Sequence, residues 1–152
     1  MTRRGGRVQP CSARDARSRR SHARKFLEVA EIVADEQETD PEYASAAASL
    51  AVLAGIAASD AACCRALGER SRSQDHRDAE GILGEISPGG GTAAKQFRGL
   101  IALKDSAHYG FFDVSRAELA QALRRARALL AFADDVLGRE VGPPTAKRGS
   151  PA

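Results

Sequence analysis

Between Ala44 and Cys64 the chain is so rich in alanine that helix is the only regular structure it favours. Alanine is the best helix former, because it loses no side-chain entropy on ordering. Within this stretch Leu50, Leu53, Ala57, Ala61, Cys64 and Leu67 recur near the 3.6-residue period, which gives the helix an apolar stripe. Small side chains along such a stripe let neighbouring helices approach closely. Trp is absent and aromatic residues make up 5% of the chain, so the core is built from Ala, Leu, Val and Ile. At 152 residues there is enough chain for one domain with a real core.

Four further helices follow from period and caps. The first is expected from about His22 to Glu38, with Ser21 as N-cap and Ala23, Phe26, Leu27, Ala30, Val33 and Ala34 as its stripe. Thr39-Asp40-Pro41-Glu42 then restarts the helix that carries the alanine run. Asp40 caps it, Pro41 takes the first helical position and Glu42 faces the positive helix end. That helix stops at Gly68. Ser73 caps a short third helix with Ala79, Ile82, Leu83 and Ile86 inward, ended by Pro88-Gly89-Gly90-Gly91. Thr92 caps a fourth, which runs to about Tyr109. Ser115-Arg116-Ala117-Glu118 is a capping box and opens a fifth, which ends at Gly138. No stretch shows strand alternation. Short loops between long amphipathic helices predict an all-α fold, an antiparallel bundle of four to five helices over residues 21–139. Gly110-Phe111-Phe112 puts aromatics in a connection, where they are expected to fold over the bundle end.

Charge divides the chain in the same way. Residues 1–20 carry seven Arg and one Asp, a net +6, whereas residues 21–139 net −4 and residues 140–152 net +1. The basic character thus belongs to a leader and the body is mildly acidic. Duplex-binding bodies are normally basic themselves. The leader, residues 1–20, is expected to be disordered, as is the tail, residues 140–152. Non-specific nucleic-acid binding by the leader is the alternative.

No apolar run reaches the length of a membrane span without interruption, and Asp60 interrupts the longest mild stretch. The N-terminus lacks the apolar segment of a secretory signal. Three cysteines, two of them adjacent, suggest no disulfide framework and a reducing cytoplasm. Cys63-Cys64 has no second pair to complete a metal site, so no metal or cofactor is expected and Cys64 reads as apolar packing. Pro88-Gly89-Gly90-Gly91-Thr92 lacks the Gly-Lys-Ser/Thr ending of a phosphate loop. Arg70, Arg72, His76 and Arg77 interleave with Glu69, Asp75 and Asp78, as in a solvated turn of mixed charge.

Polar residues placed on apolar faces mark the candidate site. Lys104 follows Leu100 by four residues, and His108 follows Lys104 by four, which stacks them on one helix surface. Asp60 sits within the stripe of the alanine-rich helix. Burying such groups is unfavourable unless they pair. Asp60, Lys104, His108 and Tyr109 are therefore expected to form one polar cluster between the second and fourth helices. A helix-end histidine beside a cation has the make-up for acid–base work on a phosphodiester, so Lys104 and His108 are the catalytic candidates.

From the first helix to the fifth, the chain resembles the HEPN superfamily of helical bundles. The resemblance lies in Ala51-Val52-Leu53-Ala54-Gly55-Ile56-Ala57-Ala58-Ser59-Asp60-Ala61-Ala62, and in Leu103-Lys104-Asp105-Ser106-Ala107-His108-Tyr109-Gly110 followed by a last Ala/Leu helix rich in Arg. The second segment looks like the Arg-x-x-Ala-Asp-Tyr region of non-toxic HEPN groups, with Lys104 at the Arg place and His108 at the Asp place. HEPN ribonucleases carry an Arg and, several residues on, a His. Here only three residues separate Lys104 from His108, while nine separate Arg98 from it, so the nuclease motif is absent or degenerate. The resemblance implies a non-catalytic bundle and a homodimer. It also implies binding to RNA, a nucleotide or a protein partner such as a nucleotidyltransferase, in a toxin–antitoxin, defence or RNA-processing setting. An endoribonuclease using His108 with Lys104 is the alternative, and a helical interaction module without a ligand is the third reading.

Overall fold

The computed structural model describes residues 8–36, 38, 40–72, 76–109 and 114–139, with the side chains of residues 105–109 outside the description. Among the described residues five helices form an all-α bundle with one very small sheet. They are α1 (Ala13–Ala34), α2 (Glu42–Leu67), α3 (His76–Leu83), α4 (Gly90–Tyr109) and α5 (Arg116–Gly138). Strands β1 (Val8–Pro10) and β2 (Glu69–Ser71) pair antiparallel, with Val8 opposite Ser71 and Pro10 opposite Glu69.

The alanine run becomes the central helix. Ala44, Ala47, Ala48, Ala51, Ala54, Ala57, Ala58, Ala61 and Ala62 are all buried, along with Val52, Gly55, Cys63 and Cys64. Because α2 is covered on most sides, its apolar residues do not keep to one stripe; Leu53 is in fact exposed. By length and composition α2 also passes for a membrane-crossing helix, contrary to the sequence expectation, but most of it is enclosed by its neighbours. α1 and α4 run antiparallel to both α2 and α5. Arg24 and Arg127 mark this for α1: Arg24 pairs with Asp134 at 3.4 Å, while Arg127 pairs with Glu31 at 2.7 Å. At Gly55 side chains of two other helices press against bare backbone. A Cβ there would lie 2.2 Å from Leu100 Cδ2 and 3.2 Å from Leu129 Cδ1, so α2, α4 and α5 converge where a side chain is missing.

Several boundaries differ from the sequence reading. The first helix starts at Ala13 rather than His22 and ends at Ala34 rather than Glu38. Its N-cap is Ser12, whose hydroxyl accepts from Asp15 N at 3.0 Å while the Asp15 carboxylate accepts from Ser12 N at 2.8 Å. Residues 8–20 therefore belong to the fold and are not a disordered leader. Residues 1–7 and 140–152 lie outside the described residues, as do Ser73 and Gly110-Phe111-Phe112. α2 begins at Glu42 with Pro41, not Asp40, at its N-cap; the Asp40 carboxylate accepts from Glu42 N at 2.9 Å just ahead of it, and Gly68 closes α2 in the left-handed conformation at φ 73°. α4 begins at Gly90 rather than Thr92. The Ser115–Glu118 capping box opens α5 as expected. The two strands went unforeseen because three residues apiece are too few to show alternation.

Candidate functional site

Asp60 is the only charged residue buried in the described core, at 8% exposure. Its partners are not those expected. Arg19 Nη2 and Nε lie 3.0 and 3.2 Å from Asp60 Oδ2, and Arg70 Nη1 lies 3.2 Å from the same oxygen. Arg19 comes from the part of α1 assigned by sequence to the leader. Arg70 comes from β2, just past the Gly68 turn, so it is an ion-pair partner and not part of a solvated turn. Burial pushes the Asp60 carboxyl up from its ordinary value, against the opposing pull of Arg19 and then Arg70.

A disulfide completes this corner. Cys11 and Cys64 are bonded, with Cα atoms 5.3 Å apart, and Cys11 N donates to Gly68 O at 2.9 Å. The expectation of no disulfide, and of Cys64 as plain apolar packing, is corrected here. Cys11 precedes a helix that the sequence reading did not extend so far, which left Cys64 without a visible partner. Cys63 is buried and takes no part in the disulfide. The cystine and the Arg19–Asp60 ion pair hold residues 8–20 against the C-terminal half of α2, and strand pairing holds them to β2 just beyond it.

Asp60 is not brought to Lys104, and antiparallel packing is the reason. Leu100 meets Gly55, and Val114 N donates to Ser45 Oγ at 3.1 Å near the other end of α2. From the Gly55–Leu100 level, Asp60 and Lys104 lie in opposite directions. At 1.5 Å per residue they are about 13 Å apart along the bundle axis. Lys104 is half-buried. His108 and Tyr109 close α4, but their side chains lie outside the described residues.

A feature the sequence did not single out lies between α4 and α5. Two adjoining depressions share Gln121 and Arg125. The larger, of about 590 Å³, is also lined by Gln96, Arg124, Arg127 and Ala128. The smaller, of about 290 Å³, is lined by Gly99, Ala102, Leu103, Glu118 and Ala122. A Cβ at Gly99 would sit 2.4 Å from Arg125 Cζ and 2.6 Å from both Nε and Nη1. Three near-equal distances mean that the flat face of the guanidinium rests on the glycine. Arg125 Nη1 also donates to Gln96 Oε1 at 3.2 Å. The sequence signal was available: Gly99 sits mid-helix with nothing to turn, which is a mark of close approach.

Comparison of the chain with family models, with curated proteins and with solved structures returned no match in any of the three.

Proposed function

We propose that this chain is a non-catalytic binding module on a HEPN-like helical bundle, with RNA, a nucleotide or a protein partner as its ligand. The observation that carries the reading is the engagement of Asp60. Asp60, the one carboxylate of the expected polar cluster, is clamped between Arg19 and Arg70 and acts as a structural ion pair. The binding half of the reading draws on the arginine-lined depressions of α4 and α5. The homodimer is supported by Val29 and Ile32 of α1 and Tyr43 and Leu53 of α2, large apolar residues left exposed among the described core helices. The cystine supports an oxidising compartment over the cytoplasmic setting inferred from the cysteine count, since such bonds are rare in a reducing cytosol.

The test is incubation of the purified full chain with total RNA and with a nucleotide mixture, against His108→Ala. The expected outcome is retention that weakens with salt and leaves the RNA intact. Cleavage that disappears in His108→Ala overturns the reading in favour of the endoribonuclease that pairs His108 with Lys104. Capture of neither RNA nor nucleotide leaves the protein partner as the ligand class.

A further inference from the structure

We infer that the α4–α5 depressions form a seat for one phosphate monoester of nucleotide size, held by Arg125 and Arg124. The inference rests on the binding-module reading and narrows its ligand class.

Arg125 is held before any ligand arrives. Gly99 receives the face of its guanidinium, and Gln96 accepts from one of its nitrogens. Among the described residues it has no carboxylate partner, and neither does Arg124 beside it. Such a cation keeps donors free for an oxyanion and has already lost the freedom that binding would otherwise remove. Nearby charges are already engaged. Arg127 is paired with Glu31, and Glu118 accepts from Ser115 N in its capping box. A guanidinium presents several N–H groups in one plane, which matches phosphate oxygens better than a point charge does. Gln121 stands where the two depressions meet.

The size of the ligand follows from the neighbouring space. The smaller depression continues from Arg125 past Ala102, Leu103 and Ala122, and suits the less polar body of a small ester. The larger lies within the range of about 300–1,000 Å³ typical of small-molecule sites. Among the described residues no aromatic side chain lines either depression, and so none there offers a platform for stacking successive bases along a strand. A mononucleotide therefore fits the seat better than a polynucleotide does.

Gly99→Ala tests the seat without harming the helix, because alanine is the better helix former and the atoms it displaces are the tip of a long side chain. Adenosine monophosphate, inorganic phosphate and a single-stranded RNA oligomer are titrated calorimetrically into the full chain, Gly99→Ala and Arg125→Gln. Melting by circular dichroism confirms that each variant folds. The expected result is binding of adenosine monophosphate, tighter than phosphate alone. It weakens about tenfold or more in both variants, as loss of a charge-assisted hydrogen bond would give. Equal affinity in wild type and both variants overturns the seat. RNA binding without adenosine monophosphate binding also overturns it while sparing the binding-module reading. If none of the three probes binds, the seat fails, and the nucleic-acid and nucleotide arms of that reading fail with it.

Discussion

Asp60 shows how one side chain can be prominent in a sequence and still be misassigned. Its position within an apolar stripe revealed that it needed a partner, but not which one. Arg19 lies 41 residues away, behind a helix start the apolar pattern did not reach, and Arg70 lies beyond a chain reversal at Gly68. Replacing Asp60 with Asn leaves two guanidiniums facing a neutral amide. Both keep about 30% exposure, so water takes up part of the lost pairing, and the substitution reads out chiefly in how stability varies with pH. The pH dependence has a definite sign. A carboxyl raised above its unfolded value binds its proton more tightly in the folded chain. Its contribution is fully present below 3.8 and is lost as pH rises through the raised value. Denaturant titrations across this window should show wild type losing stability relative to Asp60→Asn as pH increases. A difference that moves the other way means that the guanidiniums outweigh burial.

Among the elements, those with strong caps were readable and those held by distant contacts were not. Ser115–Glu118 and Gly68 are local signals and sit where the sequence put them, while the start of α2 falls one residue late, with Pro41 rather than Asp40 at its N-cap. The first half of α1 has buried Ala16 as its main apolar contact, so its periodicity fades among arginines and serines. The Ser12/Asp15 capping box was its local signal, with Asp in place of the usual Glu or Gln. Helix contact follows the same logic at Gly55. Ala introduced there gains helix propensity of about 1 kcal/mol and meets a fully buried Leu100, and overpacking costs about 1–3 kcal/mol. Gly55→Ala is therefore expected to lower the melting temperature, and Gly55→Val to lower it further. Gly99→Ala should have no such effect, because the atoms displaced there are a flexible guanidinium rather than a packed leucine.

For the molecule as a whole, the all-α class was legible because alanine content, period and loop length agree. The candidate site was legible only as a list of polar residues out of place. Their grouping depends on which helices run antiparallel, and a single chain does not display that before it folds. The cystine has the widest reach. Cys11 and Cys64 are 53 residues apart in sequence, and the loop-entropy relation gives about 4 kcal/mol for a bridge of that span. Cys11→Ser, or reduction of the native chain, should lower the denaturation midpoint accordingly and loosen β1 and the start of α1 before the rest. Amide exchange resolved along the chain reads that order directly.

The same bond changes what a cut can do. Residues 11–64 form a covalent ring that holds all of α1, the α1–α2 connection and most of α2. A protease that opens the connection near Glu36 or Asp40 divides the backbone but not the molecule, since both pieces stay joined through sulfur. The two longest-buried partners, α1 and α2, then remain neighbours at high effective concentration and can close again. Integrity at this corner is thus a property of the ring rather than of the peptide chain, and it is lost only when a cleaved molecule also meets a reductant.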